Sequence, residues 1–318
     1  MKSYVDKSEF IFNTRVEQKI LTDGIDTEYI MKEASSIMKN FENKLSFYST
    51  NSEVNKINEN EGKTFTNVSD ITFEIIKESK YYSKITDGLF DITIAPLVKT
   101  WKINQSNVCI PKNEDLKIAT SLINYEDIIL DEVNKGVMLK GKNQKIDLGG
   151  IAKGYIADKI IEFYKENKIK SAMINIGGNV KILGRKDENP WNIGIYEPKK
   201  HSNEIVCSVE LEDVSIVTSG LYERALIYDG KLYHHILNPY TGYPAETDLK
   251  SITIIDENSM KCDALSTPLF IMGKYKAFDF MKKNNLMGVM ITKDDEVIIN
   301  KDLIDKFNII KESNVLSF

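Results

Sequence analysis

The sequence predicts an α+β fold. Strand-like and helix-like segments interleave without the strict βαβ rhythm of a doubly wound sheet. The chain has 318 residues, 42% hydrophobic and 28% charged. That is ordinary globular composition, with length for one large domain or two modest ones. No repeat at a solenoid period and no low-complexity linker divides it.

Residues 9–20 alternate as one strand, closed by Asp23-Gly24. Ile30, Ala34, Ile37, Met38, Phe41 and Leu45 then share a helical face. Residues 46–68 are polar and read as loop, containing Tyr48, Ser52, Glu53 and Asn58. Ile71, Ile75 and Tyr82 mark a second helix ending near Asp87-Gly88. The stretch 103–145 is mixed, with strands expected at 127–130 and 136–139. Ile151, Tyr155, Ile156, Ile160 and Tyr164 recur at helical spacing behind Gly149-Gly150. Residues 172–184 read as strand, glycine turn, strand. Further strands are expected at 192–196, 205–210, 214–218, 224–228 and 251–255, and helices at 259–272 and 274–284. Two short strands, 287–291 and 296–299, are expected to close the chain.

Charge and composition exclude some functions. The net charge is -5, against the strong basic excess of a nucleic-acid binder, and the lysines are scattered. Cys109, Cys207 and Cys262 are far apart and odd in number. They give neither zinc spacing nor a disulfide framework, and read as small buried apolar residues. No apolar run reaches the ~20 residues that span a bilayer. The first residues carry no apolar signal core and no small-residue cleavage site. As written the chain reads as cytoplasmic; removal of an export leader or lipoprotein anchor would leave the same sequence.

Four segments carry candidate chemistry. Lys145-Ile-Asp147-Leu-Gly149-Gly150-Ile-Ala152-Lys153-Gly154-Tyr155 puts a carboxylate, a glycine pair and a lysine at a helix start. Glycine lets a ligand approach the backbone, and the helix N-terminus favours an anion such as phosphate. A glycine turn needed only for packing is the competing reading. Tyr233-His234-His235-Ile236-Leu237-Asn238-Pro239 with Thr241-Gly242 holds two of the three histidines. In an extended segment they point to opposite sides, so one faces a site. Asp263 and Thr267 are four residues apart on a helix and share a face. A carboxylate and a hydroxyl there suit a hard cation such as Mg²⁺. A capping acid and a back-bonded threonine are the alternative. Thr218-Ser219-Gly220 follows an apolar strand and suits phosphate or ribose contacts, or a plain turn. Together these suggest a Mg²⁺-dependent enzyme acting on a phosphate-containing cofactor.

Six blocks in order resemble the ApbE family of FAD:protein FMN transferases. They are Phe90-Asp91 with Pro96-Leu97 and Trp101; Asp147 through Tyr155; Asn175 through Gly178; Thr218 through Gly220; His235 through Pro239 with Thr241-Gly242; and Asp263 through Thr267. The resemblance implies a single α+β unit over 1–318, with T-fold-like halves, mixed or antiparallel sheets with flanking helices, and an FAD site between the halves. It implies transfer of FMN from FAD to a threonine hydroxyl of an acceptor flavoprotein, with AMP released. Hydrolysis of FAD to FMN and AMP is the first alternative, and flavin binding without turnover the second. It further implies Mg²⁺ bound by Asp263, Thr267 and the backbone carbonyl of Ala152. By the same resemblance Gly149, Gly150 and Lys153 are expected near the phosphates, Tyr48 against the flavin, and Asn175, Gly177, Gly178, Thr218 and Ser219 along the nucleotide. It implies a role for His235 in catalysis or flavin positioning. Either Asp263 or His235 assists the incoming hydroxyl; a metal-bound carboxylate is a poor base, which favours His235. The implied acceptor is a flavoprotein carrying a Ser/Thr-Gly-Ala-Thr type site, with membrane association only through that partner or an absent leader, and no nucleic acid. Two departures stand out: Asn238 where the family often has Asp, and Pro268, expected to shorten the helix after Thr267.

Overall fold

A two-residue turn starts the fold. In the computed structural model, which describes residues 3–102, 110–198, 204–221, 225–311 and 313–317, β1 (Ser3–Ile11) and β2 (Thr14–Thr22) pair antiparallel from Ser3↔Thr22 to Ile11↔Thr14. The single strand expected over 9–20 is thus corrected to a hairpin. Its turn is Phe12-Asn13, both left-handed at φ 58° and 54°, the geometry that matches strand twist in two-residue hairpins. Phenylalanine gives no residue-type signal for that conformation.

α1 (Thr27–Leu45) follows as expected. The loop expected at 46–68 contains a helix, α2 (Glu53–Glu59). Ser52 caps it, accepting from Asn55 N at 2.9 Å, and Val54 and Ile57 are buried. β3 (Thr66–Asn67) and α3 (Asp70–Ile85) come next. A 3₁₀ turn at Ile92–Ile94 runs into α4 (Ala95–Trp101), with Pro96 in its first turn where its missing N–H costs nothing. α5 (Asn113–Ser121), β4 (Ile128–Asp131) and β5 (Gly136–Leu139) fill the mixed stretch, of which 103–109, with Cys109, lie outside the described residues. α6 (Ala152–Glu166) begins two residues after Gly150. Then come β6 (Ala172–Ile176), β7 (Asn179–Leu183), β8 (Trp191–Tyr196), β9 (Ile205–Leu211), β10 (Ser215–Gly220), β11 (Ala225–Tyr228), β12 (Lys231–His234) and β13 (Leu249–Asp256). α7 (Ser259–Lys283) is two helices broken at Gly273, φ 76° and ψ 175°. The helix passes through Pro268, so the shortening expected there does not occur. The break falls where Asp248 Oδ1 accepts from Lys274 N at 2.8 Å and restarts the helix. β14 (Met287–Thr292) and β15 (Glu296–Ile299) do not close the chain: β16 (Phe307–Ile309) and β17 (Asn314–Ser317) follow.

The chain divides into two compact units. The first comprises 1–42, 153–220 and 247–318. Its nine-stranded sheet runs β1-β2-β6-β7-β10-β13-β14-β15-β17, antiparallel except for the parallel β15–β17 pair. Ile182, Ile216, Ile255, Val289 and Ile291 pack on Trp191, Val206, Val209 and Leu211 of the β16-β9-β8 sheet. Ile254 points to the other face and is equally buried, and α7 packs along β10, β13 and β14. Buried Gln18 ties strand to helices: Tyr164 Oη donates to its Oε1 at 2.7 Å, and its Nε2 donates to Ser35 Oγ at 3.0 Å. Cys207 and Cys262 are free and buried, as expected. Burial pushes the Cys207 thiol up to about 12.

The second unit comprises 43–152 and 221–246. It holds the β3-β5-β4 sheet, the β11-β12 hairpin and a core of Leu97, Trp101, Leu116, Ala119 and Leu237. Trp101 Nε1 donates to Gly242 O at 2.6 Å, fixing the Thr241-Gly242 turn. Asp91 is buried beneath a surface cavity of about 380 Å³ and accepts from Thr93 N, Thr93 Oγ1 and Tyr125 N at 2.7–2.9 Å. Burial outweighs these bonds and lifts its carboxyl from 3.8 to about 6. A folded-state pKa above the unfolded one means the native state binds the extra proton between those values. Stability from this group is therefore present below pH 4 and lost as pH rises through 6. At 1.36 kcal/mol per unit, the loss is about 3 kcal/mol at most. Asp91→Asn should remove this fall, so that its stability relative to wild type rises between pH 4 and 6, as read by urea midpoints. Parallel slopes would contradict the burial argument.

Candidate active site

The first four N–H groups of a helix have no partner within it, and the start of α6 solves this with a distant carboxylate. Gly154 N donates to Asp263 Oδ2 at 2.9 Å, and Lys153 Nζ lies 3.5 Å from Asp263 Oδ1. Asp263 is 5% exposed. It sits in the second turn of α7, so it caps α6 rather than its own helix. The contact requires close backbone approach. A Cβ on Gly154 would lie 2.3 Å from Ser259 O and 2.7 Å from Met260 Cα. Only glycine fits there, a constraint that the spacing of the motif does not reveal.

Thr267, one turn beyond Asp263, is partly exposed. Its Oγ1 lies 3.3 Å from Ser219 Oγ, which donates to Ser266 Oγ at 2.9 Å. The back-bonded hydroxyl of this turn is Ser266, donating to Asp263 O at 3.1 Å. Thr218 and Ser219 lie within β10 rather than beyond it, and Thr218 Oγ1 lies 2.8 Å from Thr253 Oγ1. The first unit thus brings Lys153, Asp263, Thr267 and Ser219 together. Gly177 and Gly178 form the β6–β7 turn of the same unit, and Asn175 lies near the end of β6. Asn175 Oδ1 accepts from Gly178 N at 2.9 Å, and Gly177 is left-handed at φ 56°, against Thr14.

The remaining candidates belong to the second unit. Gly149 N donates to Asp147 Oδ1 at 2.9 Å, so this N–H is engaged by its own loop rather than left open for an anion. A Cβ on Gly150 would meet only the Phe90 ring, at 3.4 Å. Ala152 N donates to Leu148 O at 2.9 Å as the chain turns into α6. His234 is buried with Nε2 3.0 Å from Ala245 O, while His235 is partly exposed. The two neighbours therefore differ in environment, as alternation requires. Asn238 Oδ1 accepts from Tyr240 N at 2.9 Å, starting the turn that Asp would also start. Tyr48 is 69% exposed and meets Phe47 edge-on at 5.3 Å.

Among the described residues no three His, Cys, Asp or Glu side chains cluster as a metal cage, and no helix is long and apolar enough to cross a membrane. Asp263 and Thr267 are instead two hard oxygen donors on one helix, with an ammonium group already beside the carboxylate. Such a donor set suits a hard cation that keeps most of its ligands for water and substrate phosphate.

The chain belongs to the ApbE family, whose profile matches residues 12–291. A Klebsiella pneumoniae (strain 342) protein named FAD:protein FMN transferase is 33% identical over 274 residues, covering 86% of this chain and 85% of that protein. A Treponema pallidum protein of the same name is 29% identical over 98% of this chain and 90% of its own length. Among solved structures, the Thermotoga maritima ApbE protein superposes with a TM-score of 0.88 at 31% identity, covering 94% and 98% of the two chains. The flavin transferase ApbE from Vibrio cholerae gives 0.84 at 26% identity, covering 93% and 96%.

Proposed function

We propose that the protein is an FAD:protein FMN transferase that moves FMN from FAD to a threonine hydroxyl of an acceptor flavoprotein and releases AMP. The observation that carries this is Asp263, buried against the α6 start with Lys153 beside it and Thr267 one turn on. The shared name of relatives that match most of the chain supports the substrate and the reaction.

Asp263 and Thr267 would hold Mg²⁺ through their side chains, with the backbone carbonyl of Ala152 as a third protein oxygen. Bound there, Mg²⁺ would neutralise the pyrophosphate and the charge that builds on departing AMP. Lys153 adds positive charge for the same oxygens. Gly149 and Gly150, lacking Cβ, let the pyrophosphate approach the backbone. Asn175, Gly177, Gly178, Thr218 and Ser219 line the nucleotide, and Tyr48 stacks on the flavin ring. The acceptor oxygen bonds to the FMN phosphorus as the bond from that phosphorus to the AMP-side oxygen breaks. His235 takes the hydroxyl proton, since its intrinsic pKa lies near neutrality and Asp263 is committed to the metal. The acceptor carries a Ser/Thr-Gly-Ala-Thr type site.

The test is intact mass spectrometry of a candidate acceptor domain incubated with the protein, FAD and Mg²⁺, with EDTA as control. The expected result is a Mg²⁺-dependent gain of one FMN phosphoester mass, with AMP released. Release of AMP and free FMN without labelling would mean hydrolysis instead, and tight FAD binding with neither product would mean a carrier. In the same assay His235→Asn should lower kcat by ~10²–10⁴ while leaving the Mg²⁺ half-saturation in place. A shifted half-saturation with kcat intact would remove His235 from the role of base.

A further inference from the structure

Behind the Asp263 site lies a second carboxylate that the proposed chemistry does not use. Asp158 sits on α6, one turn beyond Gly154. Its Oδ1 accepts from Ser259 N and its Oδ2 from Met260 N, both at 3.0 Å. These are the first two N–H groups of α7, and their helix has no internal partner for them. Asn258 accepts from Lys261 N at 2.8 Å, so three N–H groups of the first turn are held by side chains. Lys181, from the middle of β7, makes an ion pair with Asp158, and its Nζ also donates to Glu257 O at 2.6 Å. The side chains of Asp158 and Lys181 are only 17% and 10% exposed. Around them Ser259 Oγ donates to Asn179 Oδ1 at 2.8 Å, and Ser215 Oγ to Ser259 Oγ at 2.8 Å.

The two helices are therefore clamped twice. Asp263 of α7 holds the N–H of Gly154 on α6, and Asp158 of α6 holds two N–H groups of α7. The clamps are reciprocal and about one helical turn apart, ~5.4 Å along each axis. Neither can shift without the other. Lys181 fixes Asp158 to the sheet, so the pair of helices is registered on β7 as well.

We propose that Asp158, anchored by Lys181, is a positioning residue that sets the cation affinity of Asp263 and Thr267 by holding the first turn of α7 against α6. This rests on the reading of Asp263 and Thr267 as the Mg²⁺ ligands. Partners behind a ligand fix its direction, and their loss typically costs 10–100-fold in metal affinity. A buried ion pair is weak as a source of stability but strong as a constraint on geometry in some proteins. Here the constrained element is the one that carries both ligands.

The test is a Mn²⁺ titration of the metal-stripped protein, followed by the electron paramagnetic resonance signal of free Mn²⁺. Wild type, Asp158→Asn, Asp158→Ala, Lys181→Met and Asp263→Asn are compared, each with its thermal midpoint. Asp158→Asn keeps an acceptor oxygen but loses the charge; Asp158→Ala removes the acceptor of both the Ser259 and the Met260 N–H. Mn²⁺ Kd should rise by roughly 10-fold or more in Asp158→Ala and less in Asp158→Asn, with Lys181→Met between them. At saturating metal, kcat for AMP release should stay near wild type in the folded fraction. Variants that melt earlier yet keep the wild-type Kd would overturn the positioning role and leave Asp158 purely structural. Wild type that binds no Mn²⁺, or Asp263→Asn that binds as tightly as wild type, would overturn the ligand reading instead.

Discussion

If the proposed Mg²⁺ site is correct, Asp263→Asn should lower FAD cleavage by about 10³-fold at fixed Mg²⁺, because a metal's charge stabilisation is worth several kcal/mol. The substitution is nearly isosteric. The amide oxygen still accepts from Gly154 N, now 2.9 Å from Oδ2, so the α6 start stays capped. The ion pair to Lys153 is lost, but Lys153 is 29% exposed and water replaces much of that interaction. The fold should therefore survive with a small change in thermal midpoint, while the proposed negative ligand becomes a neutral one. Affinity of hard-cation sites follows ligand charge, so the loss should appear first as weaker Mg²⁺ binding and be partly recovered at high Mg²⁺. The measurement is AMP release against Mg²⁺ concentration beside Mn²⁺ binding. Abolished binding with activity retained would sink the assignment of Asp263 as ligand and return it to candidacy as base.

Local chemistry was legible in the sequence because it rests on helical and strand periods. Asp263 and Thr267 share a helix face because four residues is close to one turn. His234 and His235 differ in environment because alternate residues of an extended segment face opposite ways. The α6 start was legible from Gly149-Gly150 ahead of an apolar helical stripe. Elements shorter than their own signal were not. The Phe12-Asn13 turn puts an aromatic in the left-handed region, so one long alternating run concealed two strands. α2 spans two turns with only Val54 and Ile57 as apolar anchors, and its polar residues outweigh them. β16 and β17 are exposed short strands whose pairing depends on partners distant in sequence. The site was partial for the same reason. Residue types named Asp263, Lys153 and Thr267, but the clamps by Gly154 and Asp158 join positions about a hundred residues apart. No local rule reports such a contact.

Gly154→Ala should destabilise the protein by about 2 kcal/mol or more, reversing the usual sign of this change in a helix. In an open helix interior alanine is favoured over glycine by ~0.8–1.0 kcal/mol. At Gly154 the new methyl would lie 2.3 Å from Ser259 O and 2.7 Å from both Ser259 C and Met260 Cα. These are backbone atoms of a helix start that Asp158 and Asn258 hold in place, so they cannot turn aside as a side-chain tip would. Overpacking of this kind typically costs 1–3 kcal/mol, and here the helices must also separate. Separation lengthens Gly154 N to Asp263 and the two Asp158 bonds together, so stability and cation affinity should fall in the same variant. Gly150→Ala is the matched control. Its methyl would meet only a Phe90 ring carbon at 3.4 Å, an ordinary contact with a movable group. Urea midpoints and Mn²⁺ affinity of the two variants decide the point. Loss confined to Gly154→Ala would locate the constraint at the α6–α7 approach; equal stability in both would mean that the helices part without cost and that the approach does not hold the proposed ligands.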